Sequence, residues 1–146
     1  RTFARGPTRG TLPAGAALFS PLVDMECTGE TWTTKAAVDP VVQRVGLLAR
    51  IKMYRGDADP RNPLASPLYA DLRGLPSLLV HVGSSECLLG DSNRIVEKAR
   101  ASGVDATLEV WDDMVHEWQV FSAILLEGQQ SLERIGRFVR ERTGDG

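Results

Sequence analysis

Two loop segments of this sequence contain the residue types of a carboxylate and histidine pair. Glu86 lies in the segment 83–89 and His116 lies in the segment 112–118, and each segment directly follows a residue pattern that is typical of a strand. A carboxylate that accepts a hydrogen bond from an imidazole fixes the imidazole tautomer and stabilises its protonated form. The pattern therefore predicts general acid–base chemistry if the two loops meet.

The predicted secondary structure determines where these loops lie. Short apolar runs predict two buried strands, at residues 14–20 and 77–82, and alternating apolar and polar residues predict a third strand at 106–111. Apolar residues at helical spacing predict helices at residues 40–54, from 91 or 92 to 103, from 118 onward and at 132–139. This order predicts the α/β fold class, with a parallel sheet of about three strands flanked by helices on both faces. Ligands of such sheets lie beyond the carboxyl ends of the strands, so both loops should open at one sheet edge.

Local signals indicate where two of these helices begin and end. Asp39 is predicted to cap the first helix, because a short polar side chain can accept hydrogen bonds from the free backbone N–H groups of the first turn. Asp91 or Ser92 is predicted to cap the next helix, and Gly103 to terminate it. Residues 56–67 contain prolines and aspartates and predict a long connection, which often borders a binding site.

Composition and charge exclude several classes of protein. The 146 residues are 42% hydrophobic and 25% charged, which suits one globular domain. The net charge is −2, and charged residues of both signs are scattered along the chain without a basic patch, so we expect no nucleic-acid partner. The longest apolar runs fall far short of the roughly 18 residues that a membrane span requires. Cys27 and Cys87 form no disulfide-dense pattern, which predicts a reduced, cytoplasmic protein. The aspartates match no calcium-loop spacing, and we expect no metal site.

Several segments of the chain match the motifs of one known family. They read PLASPLYADLRGLP at 63–76, VGSSECLL at 82–89, GV at 103–104, LEVW at 108–111 and MVH at 114–116. Together they resemble the hormone-sensitive-lipase family of bacterial esterases, over about residues 12–142. The resemblance implies that residues 1–146 are the C-terminal part of one α/β-hydrolase domain, with the N-terminal half of the fold absent.

The resemblance also implies roles for residues of the two loops. Thirty positions separate Glu86 from His116, and Gly103 keeps the loops in the family's register. Glu86 therefore falls on the catalytic acid and His116 on the catalytic histidine, in the order that α/β-hydrolase triads follow. Asp91 and Asp113 remain alternatives for the acid, and Asp113 stands where the family usually has glycine. The family hydrolyses short to medium acyl esters without a metal ion or an organic cofactor.

The nucleophile of such a triad has no counterpart in the sequence. Neither a G-x-S-x-G elbow nor an H-G-G-G oxyanion motif occurs, and the similar run at 90–93 lacks the closing glycine. We expect a carboxylic ester hydrolase, or a piece of one, that is inactive alone and acts on a small acyl ester when completed. The alternative is a catalytically inactive hydrolase-fold remnant or a protein-interaction module. In either case we expect self-association through the exposed edge of an incomplete sheet.

Other residues with reactive or aromatic side chains have structural interpretations. His81 lies in the middle of a predicted buried strand, and we expect it to pack there. Cys87 is expected to fill space beside the acid, as free cysteines usually do. Trp32, Trp111 and Trp118 are expected to form core or pocket wall.

Overall fold

The computed structural model describes residues 12–144, and its elements follow the predicted alternation. Strands β1 (Gly15–Phe19), β2 (Ser77–Gly83) and β3 (Ala106–Trp111) form a parallel sheet of order β1-β2-β3. The α-helices of the described residues are α1 (Thr31–Thr34), α2 (Arg44–Arg55), α3 (Leu89–Ala101) and α4 (Leu126–Thr143). Short 3₁₀ turns occupy Pro67–Tyr69 and Trp118–Phe121. The three predicted strands and their parallel arrangement are confirmed.

Side chains of the central strand β2 alternate between two layers of the molecule. Leu78 and Val80 pack into a buried apolar core with Ile95 of α3. His81 points to the opposite face, where its Nδ1 atom lies 2.8 Å from the Oγ atom of Ser131 in α4. Helices therefore cover both faces of the sheet, as the sequence predicts.

The first long helix, α2, begins later than predicted, at Arg44. Oδ1 of Asp39 accepts the backbone N–H groups of Val41 and Val42, both at 2.8 Å, and Oδ2 accepts the N–H of Cys87 at 2.8 Å. The carboxylate thus closes a turn ahead of the helix and ties that turn to the loop that contains Glu86. The prediction that Asp39 caps the helix was wrong, because a distant loop and a local turn occupy its oxygens.

Helix α3 begins at Leu89, so Asp91 and Ser92 lie inside it and cap nothing. Oδ2 of Asp91 accepts the backbone N–H groups of Val23 at 3.0 Å and of Asp24 at 3.1 Å. The predicted cap was wrong because this carboxylate accepts hydrogen bonds from two backbone N–H groups of a distant loop, which lie 68 and 67 residues away in sequence.

The end of α3 agrees with the prediction, whereas the two helical segments after β3 differ from it in length. Gly103 follows α3 with a φ of 77°, in the left-handed region that glycine favours, and the predicted helix end is confirmed. The helix predicted from Trp118 onward is a single 3₁₀ turn, and α4 extends beyond the predicted 132–139 on both sides. No helix in the described part of the chain is long and apolar enough to cross a membrane.

Strand β1 forms an edge of the sheet within residues 12–144, because β2 is its one paired neighbour there. Beside this edge lies a groove of about 360 Å³ with mainly apolar walls. Its lining includes Leu18, Leu22, Leu64, Leu72, Leu75 and Ile95. An open strand edge next to apolar surface favours association with another polypeptide.

We expect the chain alone to self-associate through this edge and groove. Leu64 lines the groove and is 58% exposed, so Leu64→Glu should lower the molar mass measured by light scattering. Met53→Glu is the matched control, because Met53 is 85% exposed on α2 and does not line the groove. A wild-type chain that is a monodisperse monomer with a sharp cooperative melt would contradict this expectation.

Candidate active site

The carboxyl ends of the three parallel strands lie at one edge of the sheet, and the loops that follow them form the candidate site. The strands end at Phe19, Gly83 and Trp111. The structure brings the predicted pair together there, with Nδ1 of His116 3.1 Å from Oε2 of Glu86. Since an ionised carboxylate can accept but not donate, this contact places the proton on Nδ1 and leaves Nε2 to accept one.

The Glu86 carboxylate is held by the ends of two strands. It is fully buried, and its Oε1 atom accepts the hydroxyl hydrogen of Ser20 at 2.7 Å and the backbone N–H of Gly83 at 2.6 Å. A buried carboxylate needs such donors, because no water replaces them. One oxygen is thereby fixed by the sheet, and the other faces His116.

His116 can contact a ligand, since 20% of its side-chain surface is exposed. Burial alone lowers the pKa of the imidazole, but the hydrogen bond and the negative charge of Glu86 outweigh burial, together with the charges of Glu117 and Asp39. The pKa of His116 is therefore raised above its usual 6.5. A more basic imidazole is better suited to take a proton from a hydroxyl group.

Backbone contacts lock the acid loop and the histidine loop together. Ser84 N–H donates to the carbonyl of Trp111 at 2.9 Å, and Ser85 N–H donates to the carbonyl of Met114 at 3.0 Å. Gly83 permits this approach, because a Cβ atom at this position would lie 2.1 Å from the carbonyl oxygen of Met114. Glycine is thus required here by close backbone packing rather than by its φ angle.

The alternative acids lie in other environments. Asp91 is fully buried in α3, where burial raises the pKa of its carboxyl to about 6 despite the hydrogen bonds from Val23 and Asp24. Asp113 is exposed, and its backbone φ of 59° lies in the left-handed region, which explains why glycine suits this position. Within the described residues, the side-chain partner of His116 is Glu86.

A cavity of about 700 Å³ opens beside His116. Its apolar lining includes Phe19, Leu22, Val42, Leu47 and Leu88, and its polar lining includes Ser20, Gln43, Arg50 and Glu117. One side of the wall comes from α2 and the turn before it, and the long connection at 56–67 does not line this cavity but borders the β1 groove instead. Within residues 12–144, no group of three histidine, cysteine or acidic side chains is placed to hold a metal ion.

Ser20, Gly83 and Asp39 are parts of this site that sequence reasoning missed. Ser20 lies directly after β1, at the same sheet edge as the two predicted loops, and that position is the signal that could have found it. Asp39 was predicted only as a helix cap, and its bond to Cys87 depends on tertiary packing. Cys87 is buried beside Glu86, and Trp32 and Trp118 are also buried, as expected for structural residues.

The second histidine, His81, belongs to a separate buried cluster. It has no exposed surface, and burial followed by the positive charge of Arg134 lowers its pKa from 6.5 to about 4. Its Nε2 atom lies 3.2 Å from Oε2 of Glu109, yet the two are not aligned as a hydrogen bond. We therefore treat His81 as neutral, with Ser131 bonded to its Nδ1.

A neutral buried histidine predicts loss of stability in acid. The unfolded chain takes up this proton near pH 6.5, but the folded chain does so near pH 4. The stabilising contribution is thus complete above pH 6.5 and declines as the pH falls toward 4, by up to about 3 kcal/mol. In His81→Asn, whose amide oxygen can replace Nδ1, the free energy of unfolding from urea titrations should fall less between pH 7 and pH 4.5. Equal declines in both proteins would refute a neutral His81.

Comparison with known proteins gives independent evidence for the family relationship of this chain. A family described as alpha/beta hydrolase fold matches residues 3–120. An acetyl-hydrolase of Streptomyces hygroscopicus is 39% identical over 135 residues, which are 92% of this chain and 45% of that protein. An esterase of Acinetobacter venetianus is 38% identical over 128 residues, covering 87% of this chain and 42% of its own length.

Similar solved structures also belong to esterases and lipases, and they match nearly the whole of this chain. A crystal structure of an esterase from the bacterial hormone-sensitive lipase family is 51% identical, with a TM-score of 0.90 over 92% of this chain and 45% of that one. A hormone-sensitive lipase from a metagenome library is 37% identical, with a TM-score of 0.87 over 90% of this chain and 45% of that one. The chain thus spans less than half the length of these relatives, and the predicted resemblance and partial fold are confirmed.

Proposed function

Because this chain belongs to the alpha/beta-hydrolase-fold family, and within it to the hormone-sensitive-lipase esterases, we propose that it supplies the acid and the histidine of a serine-dependent carboxylic ester hydrolase. The observation that carries the proposal is the 3.1 Å contact between Nδ1 of His116 and Oε2 of Glu86 at the carboxyl edge of the sheet. We assign residues 1–146 to one hydrolase domain, completed by the portion of the fold that the relatives have in addition.

The proposed mechanism gives each of the two side chains one task. A serine in the completing portion attacks the ester carbonyl carbon while Nε2 of His116 takes the hydroxyl proton. His116 then returns that proton to the departing alcohol, which leaves an acyl-serine. Water attacks this ester in the same way, releasing the carboxylic acid and restoring the serine. Glu86 orients the imidazole and stabilises the imidazolium that forms in each half of the reaction.

The family and the cavity beside His116 support a proposal for the substrate class. The cavity walls mix aliphatic and polar side chains, which suits esters with short to medium acyl chains. The reaction as proposed needs no metal ion and no organic cofactor. Both cysteines are free and buried, which supports the proposal of a reduced, cytoplasmic location.

A chimera tests the proposal. The segment of the 51%-identical esterase that matches this chain is replaced by this chain, so that the esterase's own remaining part supplies the nucleophile. We expect hydrolysis of p-nitrophenyl butyrate by the chimera and its loss in His116→Ala. The fully buried His81 offers a matched control, and His81→Asn should leave turnover in the chimera within about tenfold. A folded but inactive chimera would favour the inactive remnant or interaction module instead.

The chain alone is expected to show no enzymatic turnover. Acid and histidine without a nucleophile provide no route to the acyl-enzyme, since the covalent step requires an activated serine. Hydrolysis of p-nitrophenyl acetate by the purified chain should therefore match that of free imidazole at the same concentration. Faster hydrolysis that a serine-directed phosphonate abolishes would contradict this and reveal a nucleophile within the chain.

A further inference from the structure

We propose that Ser20 is a positioning residue for the acid of the proposed triad. Its hydroxyl group and the N–H of Gly83 fix Oε1 of Glu86, so that Oε2 is aimed at His116. This inference deepens the proposed esterase function and rests on it. It assigns to the segment after β1 a role in the reaction that is distinct from binding the substrate.

The sheet itself holds Ser20 in place. Phe19 is paired with His81, and the N–H of Ser20 continues the ladder by donating to the carbonyl of His81 at 2.8 Å. Gly83, the second donor, is the last residue of the neighbouring strand. The two donors to Oε1 therefore come from the ends of adjacent hydrogen-bonded strands, and their separation is set by the sheet.

Burial makes these two donors decisive for the orientation of Glu86. Glu86 has no exposed surface and Ser20 is 2% exposed, so water does not solvate the carboxylate. Without the hydroxyl group, Oε1 keeps the single bond from Gly83. The carboxylate is then free to turn about its last side-chain bond, and the direction of Oε2 toward His116 is no longer fixed.

The backbone conformation of Ser20 favours glycine over serine, which points to a role for the hydroxyl group. Its φ of 41° lies in the left-handed region, where a residue with a Cβ atom is sterically disfavoured. Glycine would fit this backbone better, but it would provide no donor to Glu86.

Proton NMR of the full chain tests this proposal without any need for turnover. The Nδ1–H proton of His116, bonded to a carboxylate, should give a resolved low-field resonance in the wild type. Ser20→Gly, which removes the hydroxyl group and relieves the backbone, should shift that resonance upfield or broaden it through faster exchange. Ser20→Ala removes the hydroxyl group but keeps the Cβ atom, so agreement between both variants isolates the hydroxyl. Ser102→Ala, at the end of α3, is the control and should leave the resonance unchanged.

The chimera supplies the second measurement. Ser20→Gly should lower kcat by roughly tenfold or more and change KM far less, since positioning of the acid affects proton transfer more than substrate binding and Ser20 is only 2% exposed to the cavity that it lines. A low-field resonance that is the same in wild type, Ser20→Gly and Ser20→Ala overturns the positioning role whatever the chimera does. A shifted resonance in a chain whose chimera is inactive supports the positioning of Glu86 and overturns the esterase function.

Discussion

Glu86→Gln is expected to lower the turnover of the completed enzyme by up to about 10⁴-fold while the chain stays folded. In serine proteases, replacing the triad carboxylate by an amide has an effect of this size, because the amide leaves the imidazole in the wrong tautomer. Glu86 makes the corresponding contact here, 3.1 Å from Nδ1 of His116. The glutamine is nearly isosteric and can keep the bonds from Ser20 and Gly83 to its amide oxygen. The measurement is kcat of the chimera, with its melting temperature as the check on folding.

The matched controls are the amide variants of the two alternative acids. Asp91→Asn and Asp113→Asn should change turnover by at most about tenfold, because neither side chain contacts the imidazole. If either of these variants abolished activity while Glu86→Gln remained active, the acid would have been assigned to the wrong residue.

Gly83→Ala is expected to damage the site through the backbone. The new Cβ atom would lie 2.1 Å from the carbonyl oxygen and 2.5 Å from the carbonyl carbon of Met114, and backbone atoms cannot rotate away. The histidine loop must therefore move, which breaks the bond between Ser85 N–H and Met114 and displaces His116 from Glu86. We expect a loss of at least about 10²-fold in kcat, since a displacement of about 1 Å has this effect. Overpacking should also lower the free energy of unfolding by about 1–3 kcal/mol.

Gly136→Ala is the control for this prediction. Gly136 lies in α4, where the nearest atom to an added Cβ is 3.4 Å away, at the end of the Arg140 side chain. A flexible side chain can move, and alanine favours the helix by up to about 1 kcal/mol over glycine. Gly136→Ala should therefore leave kcat unchanged and raise the melting temperature slightly. Normal activity in Gly83→Ala would show that the two loops need not pack as closely as the structure has them.

The sheet and the meeting of the two loops could be predicted because both depend on local patterns. Apolar runs form β1 and β2, an alternating apolar and polar pattern forms β3, and parallel order then places the loops after β2 and β3 at one edge. The pairing of Glu86 with His116 follows from this topology together with the family's register.

The helix starts and the support of the acid could not be predicted, because they depend on contacts between distant residues. Asp39 and Asp91 have the composition of helix caps, but each accepts N–H groups from segments that lie 48 to 68 residues away. A side chain engaged in tertiary hydrogen bonds is not free to cap a helix. Ser20 likewise bonds to Glu86 across 66 residues, and its place after β1 puts it at the correct sheet edge without identifying Glu86 as its partner.

The pKa of His116 in the full chain, measured by NMR titration of its ring protons, tests the acid and histidine pairing most directly. Glu86 raises this pKa against the opposing effect of burial, so the wild type should titrate above 6.5. Glu86→Gln removes the charge but keeps the burial, and its His116 should titrate at a lower pH than that of the wild type. A wild-type pKa at or below 6.5, or one that Glu86→Gln leaves unchanged, would contradict the pairing on which the proposed mechanism depends.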